Sequence, residues 1–112
     1  MYAALADGTY RYDPDAHALR LAVARDLRAL TGVQDFVATA PLDLVYVADF
    51  ARMADASDED RVFLASADAA FVAQNVYLYC ANAGLATVVR GLVDRARLAP
   101  ALGLGPRERI VL

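Results

Sequence analysis

The sequence predicts a single α+β domain over residues 1–112, an antiparallel or mixed sheet with a long central helix. Three observations predict it. The first two dozen residues alternate with the two-residue period of strands. The run 58–83 instead repeats apolar residues in steps of three and four, the period of a helix. The elements then follow in the order βββ-αα-β-α-β-α-β, clustered rather than regularly alternating, which separates α+β from α/β. A chain of 112 residues suffices for one core. Its 59% hydrophobic content excludes a disordered chain.

The N-terminal meander is read from "YAALADGTYRYDPDAHALRLAV". Tyr10 and Tyr12 share one face, with Thr9, Arg11 and Asp13 on the other. Leu19, Leu21 and Val23 share a face further on. Asp7-Gly8 is a two-residue hairpin signal, and Pro14 suits a second turn. Strands are expected over roughly 2–5, 9–13 and 18–23. "ARDLRALTG" reads as a short helix stopped at Gly32, and "VQDFVATAP" as another stopped before Pro41. "LDLVYVADF", residues 42–50, carries apolar residues on both faces, the mark of a central strand covered on two sides.

A polar loop leads to Ser57, an N-cap candidate with Asp60 at the third helical position. Asp58, Glu59 and Asp60 suit the positive end of a helix dipole. The apolar stripe is expected at Val62, Ala65, Ala69, Val72, Val76, Cys80 and Ala83, and Gly84 is the expected stop. Phe63, Phe71, Tyr77 and Tyr79 extend apolar surface to other faces, so this helix is expected to be sandwiched, partly against a partner. Tyr77 and Tyr79 lie two apart, so one of them points away from the protomer's own core. "LATVVRG" reads as a short strand. "DRARLAPALGL" reads as a helix capped by Asp94 and shortened or kinked by Pro100. A last strand begins at Arg109.

Composition excludes several function classes. The net charge is −3 and the 11 basic residues, all arginine, are scattered, so no nucleic-acid footprint is present. No apolar run approaches the roughly 18–20 residues of a membrane span. The N-terminus lacks the pattern of a signal peptide, so a cytoplasmic location is expected. Cys80 is the single cysteine and His17 the single histidine, which supplies neither a disulfide nor a metal site. Gly103-Leu104-Gly105 lacks the strand-to-helix context of a dinucleotide fingerprint. Asp58/Asp60 and Asp13/Asp15 are explained by capping and turns. The surplus of apolar residues, among them 25 alanines, points to a second copy of the chain.

One segment reads as a ligand-site candidate. In "NAGLATVVRG" a helix stop runs into a short apolar strand that ends on Arg90-Gly91. Gly91 permits close approach by a backbone or a flat ligand. Peptide N–H groups left free at a strand end can donate to a flavin edge, where charge accumulates on reduction.

At these residues the chain resembles a known family. "DAAFVAQNVYLYCANAGLATVVRGLVDRARLAPALGL" is similar to the C-terminal half of the FMN-dependent nitroreductases, with Asp68, Gln74, Asn75, Gly84, Leu85, Thr87, Gly91, Asp94 and Leu104 in register. "DGTYRYDPDAHALRL" and "TGVQDFVATAPLDLVYVADFARM" resemble the branch that includes the peptide thiazoline and oxazoline dehydrogenases. The resemblance implies an intertwined α+β homodimer that binds FMN at its interface. It implies hydride exchange between NAD(P)H and a small-molecule or peptide acceptor. It places the backbone of Val89, Arg90 and Gly91 beside the flavin ring and the helix 58–83 at the dimer centre. Arg90 would either offer charge near the ring or an acidic substrate, or pair with an aspartate. Relative to that family both ends read as cut, because the N-terminal arginine-serine phosphate motif and a C-terminal phosphate contact are not matched. Two readings follow. One is an FMN-dependent oxidoreductase of which this chain is the C-terminal part; the other is a non-catalytic dimerising module of the same fold.

Overall fold

The computed structural model describes residues 1–53 and 55–112. Strands β1 (Tyr2–Leu5), β2 (Gly8–Asp13) and β3 (Ala18–Val23) form the expected meander. The first turn falls one residue earlier than its signal: Leu5 pairs with Gly8, so Ala6 and Asp7 make the loop. Gly8 serves instead as a strand residue without a side chain, since a Cβ there would meet Leu21 Cδ1 at 3.0 Å. The second turn is held by Asp13, whose Oδ1 accepts from the N–H groups of Asp15 and Ala16 at 3.0 and 3.1 Å. Its Oδ2 pairs with Arg20. His17 closes this turn with φ 47°, its ring 2.8 Å from the Tyr12 hydroxyl.

The expected strand 42–50 divides in two. Strand β4 (Asp43–Val45) pairs with β1 and forms the edge of a sheet ordered β3-β2-β1-β4. Strand β5 (Val47–Asp49) pairs with β6 (Glu108–Ile110) in a second sheet. All pairs are antiparallel. The division falls at Tyr46, whose N–H donates to Leu112 O at 2.7 Å and whose carbonyl accepts from Val111 N at 2.8 Å. The strand is therefore shared between two partners rather than central to one sheet, a correction to the expectation from its two apolar faces.

The two short helices expected over 24–41 contract to 3₁₀ turns, Arg28–Leu30 and Val37–Thr39. The Arg28 guanidinium spans them, reaching Asp26 Oδ2 at 2.8 Å and Ala40 O at 2.6 Å. That cross-link replaces helical turns with a folded loop. Helix α1 (Asp58–Ala83) has the expected bounds. Ser57 Oγ accepts from Asp60 N at 3.1 Å, and Gly84 takes the left-handed conformation at φ 68°. Helix α2 (Arg95–Ala101) is capped by Asp94, whose side chain accepts from Arg97 N, and it ends soon after Pro100.

Tyr2, Leu27, Val45, Leu98, Leu102 and Ile110 form the core, joining both sheets to α2. Helix α1 stands outside that cluster. Its buried residues are Ala65, Ala69, Ala73 and Cys80, so the inner stripe runs through Ala73, while Val62 and Val72 of the expected stripe are exposed. Phe63, Phe71, Leu78 and Tyr79 face outward, with Phe71 73% exposed. The sandwiched burial expected of this helix is thus met on one face only within the chain. At 26 residues it is about 39 Å long, close to the longest dimension of the chain, 40 Å.

Candidate functional site

The segment after Gly84, residues 85–91, forms no strand. Over residues 85–91 the main chain makes two hydrogen bonds among the described residues: Leu85 N to Cys80 O at 2.8 Å, and Val89 N to the Tyr77 hydroxyl at 2.7 Å. The apolar sequence "LATVV" satisfies strand propensity, but propensity without a neighbouring edge makes no ladder. Leu85, Val88 and Val89 are exposed, so the apolar run expected as a strand is neither paired nor buried.

Arg90 turns inward. Its Nη2 lies 2.7 Å from Asp43 Oδ1, with the two side chains 12% and 4% exposed. Its Nη1 donates to Thr31 O at 3.3 Å, and its Cζ sits 6.0 Å from the centre of the Phe36 ring. Gly32 leaves room for this arrangement, because a Cβ there would collide with Arg90 Nη1. Burial pushes the Asp43 carboxyl above its ordinary range, while the guanidinium groups of Arg90 and Arg28 oppose the rise. Of the two roles open to Arg90, the structure realises the pair with an aspartate. That aspartate comes from the edge strand β4, 47 residues away in sequence.

A cavity of about 550 Å³ lies between these parts. One wall is the 42–46 stretch, including β4. A second is the α1 face of Ala73, Val76, Tyr77 and Cys80, and a third is the segment 85–90. The lining is mainly apolar, and Arg90 is its only cation among the described residues. Its size falls in the range of small-molecule sites. Val89 and Arg90 reach this wall. Gly91 lies just beyond it, with no atom within 4 Å of where its Cβ would stand. A smaller cavity of about 290 Å³ lies beside it, and Ala73, Tyr77, Val89 and Leu112 line both.

The structure therefore brings Val89 and Arg90 to a cavity and leaves Gly91 open beside it. Gln74 and Asn75 are exposed on α1, with Gln74 at the smaller cavity. Sequence reasoning missed Tyr77, Thr31, Gly32 and Asp43 as the residues that fix the segment. Gly32 was legible only as a helix stop. Asp43 carried a signal, one of two acidic residues in a largely apolar strand, but its partner could not be chosen locally. Among the described residues no cluster of side chains suits a metal ion, and no helix is long and apolar enough to cross a membrane.

Comparison with known proteins agrees with this architecture. The family model described as the Nitroreductase family matches residues 4–112. A crystal structure of a candidate nitroreductase from Ralstonia eutropha JMP134 is 50% identical and superposes with a TM-score of 0.90. The match covers 97% of this chain and 52% of that one, so the chain spans about half the length of this solved relative. No curated protein matches.

Proposed function

The chain belongs to the nitroreductase family, and from that premise we propose that it forms part of an FMN-dependent oxidoreductase, with the flavin ring against Arg90 and Gly91. The observation that carries this reading is the state of the segment's main chain. Val89 N–H is committed to Tyr77, while the N–H groups of Arg90 and Gly91 have no partner among the described residues. Two adjacent donors beside open space, at the rim of an apolar cavity, suit a flat ring with a polar edge. The residues present fit the ring portion of the cofactor. Arg90 is already paired with Asp43, so the phosphate would be held by groups outside this cavity.

Bound FMN would supply the hydride-carrying centre. The chain's own residues orient and shield. Arg90 N–H and Gly91 N–H donate toward the ring edge, and the missing Gly91 side chain allows the ring to approach. Val88, Val89 and Leu85 present apolar surface that excludes water. The Arg90 side chain anchors the segment and adds no net charge, since Asp43 balances it. NAD(P)H as the electron donor, and a small-molecule or peptide acceptor of the azoline type, follow from the same family reading. So does a homodimer, supported by the outward-facing Phe63, Phe71, Leu78 and Tyr79 of α1, with cytoplasmic residence.

The test is direct. FMN is titrated with the purified chain at micromolar concentration, and quenching of flavin fluorescence is followed. Saturable quenching that weakens in Gly91→Val supports the reading; free fluorescence at all concentrations sinks it. The exposed apolar face of α1 specifically favours a second reading, a dimerising module without cofactor. A stable dimer with unquenched FMN would select that one.

A further inference from the structure

We infer that Tyr77 is a positioning residue for the flavin-facing backbone, an inference that rests on the flavin reading above. The segment 85–91 lacks a strand neighbour, so nothing in its own main chain fixes where Arg90 N–H and Gly91 N–H point. Two side chains from different elements do so instead. Arg90 is anchored through Asp43 on the edge strand. One residue earlier, Val89 N–H donates to the Tyr77 hydroxyl at 2.7 Å, a bond that spans 12 residues from helix α1. Arg90 and the residue before it are thus each held by a side chain from a different element.

The placement of the bond adds a second argument. Tyr77 and Val89 line both the larger and the smaller cavity. The tether therefore stands in the partition between them. If the hydroxyl is lost, Val89 regains a free N–H, and among the described residues the segment keeps only the bond from Leu85 N to Cys80 O, at its start, as a hydrogen bond to α1. The segment can then relax into either cavity, and the two donor groups lose their fixed direction. A tyrosine oxygen that accepts still holds its own proton, so phenylalanine removes the acceptor while keeping the ring that fills the wall.

The experiment compares the wild-type chain with Tyr77→Phe, and with Tyr12→Phe as control, since the Tyr12 hydroxyl bonds to His17 in the β2–β3 hairpin and Tyr12 lines neither cavity. Three quantities are read: amide exchange at Val89, FMN affinity, and the midpoint potential of the bound flavin. We expect Val89 exchange in Tyr77→Phe to accelerate about fivefold to tenfold, the effect of one lost hydrogen bond. FMN affinity should fall by about tenfold, with a shifted potential, while Tyr12→Phe matches wild type. Unchanged Val89 exchange overturns the tether. Faster exchange with unaltered affinity and potential overturns its positioning role. Failure of wild type to bind FMN instead refutes the proposed function, and Val89 exchange then decides the tether by itself.

Discussion

Removing the Arg90 guanidinium should destabilise the chain by about 3 kcal/mol at neutral pH. The variant is Arg90→Met, which keeps the apolar stem and removes the charge. Arg90 and Asp43 are 12% and 4% exposed and 2.7 Å apart, so the pair is buried rather than superficial. Breaking such a pair by deleting one member typically costs about 3–5 kcal/mol, because the other charge is left buried without a partner. The lower end applies here, since Arg28 also lies close enough to favour the Asp43 charge. For a chain of this size that is roughly a 10 °C fall in midpoint. The cost should also depend on pH with a definite sign. Burial raises the Asp43 carboxyl in the folded state, so the folded chain holds its proton where the unfolded chain has released it. Its contribution to stability is therefore fullest below the ordinary carboxylate value and is lost as pH rises through the folded one. Without Arg90 the folded value climbs further, so the gap between wild type and variant opens as pH rises and narrows in acid. Urea unfolding followed by circular dichroism at several pH values measures this. Asp43→Asn combined with Arg90→Met should recover much of the loss. A cost below about 1 kcal/mol at neutral pH, the scale of an exposed pair, would refute the reasoning. So would a cost that does not change with pH.

Gly32→Ala should cost about 1–3 kcal/mol by overpacking, since its Cβ would meet Arg90 Nη1 and stand 3.0 Å from Gln34 Oε1 and 3.1 Å from Val37 Cγ2. In the Arg90→Met background the same change should cost less, which a double-mutant cycle of urea midpoints checks. Ser57→Ala should remove about 1 kcal/mol through the lost cap on Asp60 N–H, seen as faster amide exchange in the first turn of α1. Phe71→Asp, at a side chain 73% exposed, should leave the circular dichroism of the chain unchanged while shifting its sedimentation to the monomer. A Phe71→Asp variant that still sediments as a dimer would move the interface elsewhere.

What could be read in advance followed the range of the forces involved. Helix α1 was legible to the residue, because both of its ends are set by local chemistry. Ser57 reaches three residues ahead to Asp60, and Gly84 adopts a conformation that other residues disfavour. The meander was legible for the same reason, apart from a one-residue shift of its first turn. The division of 42–50 was not, because it depends on Tyr46 meeting residues 111 and 112. No alternation within nine residues reports where the far end of the chain will lie. The site divided in the same way. Arg90-Gly91 stood out locally as a charge and a glycine after an apolar run. The groups that hold it, Asp43, Thr31 and Tyr77, are joined to it only by the fold.

The buried face of α1 has one more consequence. Ala65, Ala69 and Ala73 recur every four residues, so the inner side of this helix repeats itself after about one turn. Sliding the helix along its axis by that step would set one methyl group where another had been. Contacts of this kind hold a rod at a fixed distance but scarcely mark its position lengthwise. The lengthwise marks are polar and few. Arg61 Nε donates to Met53 O at 2.8 Å near one end, and Val89 N–H reaches the Tyr77 hydroxyl near the other. The helix is in effect a ruler with identical graduations, and among the described residues these two bonds are marks by which it is read against the rest of the chain.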